Sequence, residues 1–211
     1  MKKVFAILGI IIIVLAGYLW FFVFHSKKQH SDADKPMPLS VSKHSAIFNS
    51  SVENVLNAYF SMQEGFVNWD TIVINSSAIV LKQALDSLKI QELQKDSAIY
   101  LTALDPLANA KIETESIIAD PSIEEKRGSL NILSDNLRNL LVIVKYDQQK
   151  IYWQECPMAF GDEKPGNWLS KTNKVRNPYL GTKDPIYGSD MLGCGGPKDT
   201  INFIPIDTIQ K

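Results

Sequence analysis

The opening stretch of the chain constrains it more than any other feature. From Val4 to Phe24 no charged residue interrupts an apolar run that includes Ile7, Leu8, Ile10 to Ile13, Val14 and Leu15. A helix rises about 1.5 Å per residue, so such a run spans the roughly 30 Å hydrocarbon core of a bilayer. Trp20, Phe21 and Phe22 stand near its outer end, where aromatic rings favour the membrane–water interface. The reading is a transmembrane anchor over residues 1–24, in contact with the lipid bilayer through Val4 to Phe24. The run lacks an A-x-A-like cleavage site, and Tyr18 stands after Leu15-Ala16-Gly17 where a lipidated cysteine would be needed. The anchor is therefore expected to be a retained signal-anchor. Lysine pairs flank both ends (Lys2 and Lys3, Lys27 and Lys28), so loop charge alone does not orient it. The short N-terminal tail does, placing the N-terminus inside. The expectation is a single-pass protein of the bacterial inner membrane with its globular domain in the periplasm.

Charge then excludes several partners. The chain carries 22 Lys and Arg against 23 Asp and Glu, for a net charge of −1. Mixed signs at this balance give no basic footprint for nucleic acid and no polybasic patch for a lipid surface.

Residues 25–49 are polar, contain Pro36 and Pro38, and show no apolar period, which reads as a linker. From about residue 50 to 147 the spacing turns helical. Val52, Val55, Leu56, Tyr59, Phe60, Met62 and Phe66 recur at three- and four-residue steps, as do Ile74, Ala78, Leu81, Leu85 and Leu88 behind a capping Asp70. A third segment, roughly 92–118, presents Leu101, Leu104 and Ala108, with Pro106 disturbing or dividing it. The fourth carries Leu130, Leu133, Leu137, Leu140 and Val144, with Asp120-Pro121 read as its cap and first turn. Short connections between four amphipathic segments predict a mainly α fold, an antiparallel four-helix bundle. Residues 150–206 are rich in proline and glycine and hold both cysteines. This loop-rich segment, with short strands expected at Lys150 to Trp153 and Ile201 to Ile204, completes a domain over residues 50–206 by folding back onto the bundle.

The histidines narrow the chemistry. His25, His30 and His44 all precede the first expected domain helix. A folded part without histidine lacks the base of a Ser-His-Asp or Cys-His nucleophile and the Glu-x-x-His pairs of a di-iron bundle. No Walker loop or G-x-G-x-x-G is present either. The chain is read as a non-enzyme with no catalytic residues. What remains is sulfur: Cys156-Pro157-Met158 and Met191-Leu192-Gly193-Cys194. Thiolate and thioether are soft donors that suit Cu(I). Glycines at 193, 195 and 196 would let backbone wrap closely around such a site. Three readings stay open at this point: a Cu(I) site on Cys156, Met158, Met191 and Cys194; a Cys156–Cys194 disulfide stapling an exported segment; and unpaired structural thiols, with both methionines as packing residues.

Several strings resemble the bacterial domain-of-unknown-function family 3347. They are Val55-Leu56-Asn57-Ala58-Tyr59, Arg127-Gly128-Ser129-Leu130-Asn131-Ile132-Leu133-Ser134, Cys156-Pro157-Met158-Ala159, Trp168-Leu169-Ser170, Arg176-Asn177-Pro178-Tyr179-Leu180-Gly181 and Met191-Leu192-Gly193-Cys194-Gly195. The resemblance extends over about residues 50–205. It implies a periplasmic domain of the kind also found at the end of copper and silver efflux adaptor subunits, and so an envelope or efflux-related protein partner. It also implies that both sulfur pairs belong to the family pattern, which favours envelope Cu(I) or Ag(I) binding. The chain has no room for the hairpin and barrel domains of those subunits, so the expectation is a free-standing metal carrier or sensor. The alternative is a non-enzymatic interaction module stapled by the Cys156–Cys194 disulfide.

Overall fold

A computed structural model describes Tyr18 and residues 44–204. Apart from Tyr18, the expected anchor and most of the linker lie outside the described residues. Among the described residues no helix is long and apolar enough to cross a membrane.

Four helices form the body: α1 (Ala46–Val67), α2 (Thr71–Asp86), α3 (Ser97–Ala119) and α4 (Ile123–Ile143). Helix α1 begins four residues ahead of the expected domain boundary, because the Ser45 hydroxyl accepts from Phe48 N at 3.0 Å and satisfies an end N–H group. The expected stripe on α1 is buried except for the half-buried Phe60. Asp70 caps α2 as its position suggested, accepting from Ile72 N and Val73 N at 3.1 and 3.0 Å. A 3-10 turn over Ile90–Lys95 leads to Asp96, which caps α3.

Helix α3 departs from the sequence reading in two ways. Pro106 neither divides nor ends it; the helix runs unbroken to Ala119 with Pro106 buried inside. The buried face is also a different one. Ala103, Leu107, Ala110, Thr114 and Ile117 point inward, while Leu101, Leu104 and Ala108 lie outside. The segment is apolar on two sides, so its period alone did not select the packed face. At α4 the cap is Ser122 rather than Asp120. Its hydroxyl accepts from Glu125 N at 3.3 Å in an S-x-x-E arrangement, and Asp120 instead ends α3.

One histidine does belong to the folded part. His44 donates from Nε2 to the Val144 carbonyl at 2.5 Å, and its ring centroid lies 4.6 Å from that of Phe48.

After α4 the chain forms an antiparallel sheet, which extends the short strands expected there. Strand β1 (Ile151–Cys156) lies between β2 (Gly166–Ser170) and β3 (Gly196–Ile201). β3 thus lies five residues earlier than the expected Ile201–Ile204 strand. The sheet packs on α1 and α4 through one buried polar cluster. The Tyr59 hydroxyl lies 2.7 Å from Ser134 Oγ and accepts from Leu169 N at 3.2 Å. Asn131 Oδ1 accepts from Asn167 N at 2.8 Å. Helices and sheet share one apolar core, so the C-terminal segment folds back onto the helices as its poverty in apolar stretches required. Trp153 and Trp168 are both buried in that core.

Candidate metal centre

The two sulfur motifs converge at one end of the sheet. The β1–β3 ladder shifts register between Trp153 and Gln154, where β3 carries Lys198 as an extra residue, while the β1–β2 ladder runs on without a break. Along β1, Ile151, Trp153, Gln154 and Cys156 are buried, while Tyr152 and Glu155 are half-buried. Cys156 at the end of β1 is completely buried, and its neighbour Glu155 pairs with Lys198. Met158 follows in a turn, half-buried against the core, with Gly161 N donating to its carbonyl at 3.3 Å.

Cys156 pairs in register with Gly166 of β2. No other residue fits at 166: a Cβ there would sit 2.6 Å from Ala159 Cβ and 2.8 Å from Tyr179 Cε2.

Cys194 arrives from the other direction. A 3-10 turn over Asp190–Gly193 carries Met191, and Cys194 N donates to Met191 O at 2.9 Å. Gly195 then passes against the end of β1 with φ +108, and a Cβ at this position would lie 2.1 Å from Glu155 O. Of the three glycines read as wrapping the site, this one makes the close approach; Gly193 and Gly196 face open space. The approach brings the Cys194 thiol against that of Cys156. Burial, then the neighbouring Cys156 thiol, push the Cys194 thiol up to about 12, while a hydrogen bond from Asn177 acts in the opposite direction. Both cysteines are free thiols here. Met158 and Met191 flank them in sequence and are half-buried on the same core.

Two thiols and two flanking thioethers form a soft donor set, which fits a monovalent coinage-metal ion by its chemistry. Among the described residues, no group of three His, Cys, Asp or Glu side chains is placed to hold a metal ion. Elsewhere the interior offers little room. The void between α1 and α4, lined by Phe48, Val52, Leu56 and Leu137, measures about 10 Å³. That is at the lower limit for one water.

Asn177 carried no role in the sequence reading, although Asn-Pro is a turn signal. It is fully buried and grips the Cys194 loop, donating from its backbone N to Leu192 O at 2.9 Å and from Nδ2 to Cys194 O at 3.3 Å. Trp69 helps to hold the segment that follows: its Nε1 donates to Leu180 O at 2.9 Å, while the buried Arg127 guanidinium stacks 3.8 Å from its ring centre.

A helical body with a small antiparallel sheet, closed by a pair of thiols of which Cys156 is buried and Cys194 half-buried, is the class of protein that fold and site define. Residues 55–149 match the model of the family described as protein of unknown function (DUF3347). The match covers α2, α3 and α4 whole and α1 from Val55 on, and stops before β1, so both cysteines lie beyond it, short of the expected 50–205. No curated protein and no solved structure matches the chain.

Proposed function

We propose that this chain is a membrane-tethered soft-metal binding protein of the bacterial envelope, taking Cu(I) or Ag(I) on Cys156 and Cys194 with Met158 and Met191 as thioether partners. The observation that carries the reading is the meeting of two thiols that are 38 positions apart in sequence. Two further points support it. Met158 and Met191 lie two and three positions from those thiols in sequence, and thiolate and thioether together prefer soft monovalent ions. The bound ion would displace thiol protons, so its apparent affinity would rise with pH. In this reading Val4–Phe24 is a retained anchor, the helices form an antiparallel bundle that holds the sulfur loops in the periplasm, and the protein performs no catalysis.

The test is a Cu(I) titration of the full chain under reducing conditions against a competing chelator. The expected result is about one ion per chain, lost in Cys156→Ser and in Cys194→Ser. Absence of Cu(I) uptake by the parent protein ends the proposal.

The same thiol contact favours a second reading, an envelope interaction module stapled by a Cys156–Cys194 disulfide. Thiol counting on freshly isolated protein separates the two. Two free thiols support metal binding; none before reduction, with partner binding unchanged by reduction, supports the staple.

A further inference from the structure

We infer that Asn177 is the positioning residue of the sulfur site, holding the Cys194 loop in register with the end of β1. The inference rests on the metal reading above. Asn177 grips the Cys194 loop on both sides of Gly193, through its backbone N–H to Leu192 O at 2.9 Å and through Nδ2 to Cys194 O at 3.3 Å. Its amide also faces the Cys194 thiol. The other half of the same side chain works toward Cys156. Oδ1 accepts from Tyr179 N at 2.8 Å and from Leu180 N at 3.2 Å, an Asx-type turn. That turn lays the Tyr179 ring over Gly166, the residue paired with Cys156. One buried amide therefore ties both cysteines together, its donors on one and its acceptor toward the other.

The side-chain chemistry makes this specific. A residue that only closed the turn would need an acceptor, and aspartate would serve as well. The grip on Cys194 needs a donor, which aspartate lacks when ionised. Asn177→Asp thus keeps the turn and removes the grip.

The experiment measures how closely the two sulfurs are held, without any metal. The full chain is equilibrated in glutathione buffers, where two protein thiols and one oxidised glutathione give one protein disulfide and two reduced glutathione molecules. The Asn177→Asp chain should form its disulfide about tenfold less favourably than the parent, the size expected from one buried hydrogen bond. Ile201→Val, a packing loss where β3 pairs with the opposite end of β1, serves as the control for general destabilisation and should keep the parent value. Asn177→Ser is the second variant, read the same way if Asn177→Asp does not fold. A folded Asn177 variant with the parent's equilibrium, or an Ile201→Val chain that loses as much, overturns the inference. A parent chain that takes up no Cu(I) would instead overturn the metal reading, which this metal-free measurement does not touch.

Discussion

Replacing Gly195 by alanine tests the architecture of the sulfur site without altering a sulfur atom. Gly195 has φ +108, a conformation that disfavours any L side chain. Holding alanine there costs about 1–3 kcal/mol. The new Cβ would also lie 2.1 Å from Glu155 O and 3.0 Å from Cys156 Cα, both backbone atoms of β1. Real Cβ contacts are not found under 3.0 Å, so the loop or the strand must shift by almost an ångström. Shifts of that kind in a packed region cost about 1–3 kcal/mol more. Together these predict a loss of about 2–6 kcal/mol. For a chain of this size each kcal/mol lowers Tm by about 2–4 °C, so the midpoint should fall by about 4–24 °C. Thermal unfolding followed by circular dichroism measures this, and Gly193→Ala provides the comparison, because nothing lies within 4 Å of a Cβ at 193. The Gly195→Ala chain should also bind Cu(I) less tightly, since Cys194 is displaced from Cys156. A Gly195→Ala midpoint within about 2 °C of the parent, less than one kcal/mol is worth, refutes the reasoning. So does a Gly193→Ala midpoint that falls equally.

Other outcomes follow from single contacts. Tyr59→Phe removes the acceptor of Leu169 N between α1 and β2 and should cost about 1–3 kcal/mol, read as a lower urea midpoint at unchanged slope. Asp70→Ala removes the cap of α2 and should cost about 1 kcal/mol, with Asp70→Asn restoring most of it in the same assay. Acid weakens the fold through depressed carboxyl groups: Lys111 and then Lys82 hold Asp86 low, and Arg138 holds Asp199 low. Folded values below the ordinary 3.8 mean that these pairs contribute fully above that pH and fade as pH falls through the lower folded values. Stability should decline on the acid side, with a smaller decline in an Asp86→Asn, Asp199→Asn chain; an unchanged acid profile in that chain refutes the assignment.

The exposed apolar stripe on α3 shows where a periodic pattern stops being informative. Leu101, Leu104 and Ala108 repeat as a core face should, yet Ala103, Leu107 and Ala110 are the residues that pack. Both stripes satisfy the same period, and only the positions of α2 and α4 choose between them. The sheet was partly hidden for a related reason. Strand β2 reads Gly-Asn-Trp-Leu-Ser, a poor strand by composition, and becomes one through its ladder to β1 and its bond to Tyr59.

Sequence alone determined what depends on near neighbours: the four helical segments, the Asp70 cap, the leucine face of α4, and a proline- and glycine-rich tail holding every cysteine. Those features arise from periods and hydrogen bonds that close within a turn of the chain. Tertiary structure alone decided that Cys156 is buried at the end of β1, that Gly195 brings Cys194 against it, and that Asn177 joins the two loops. These contacts span 17 to 38 positions and carry no repeating pattern, so only the packed sheet puts them in reach.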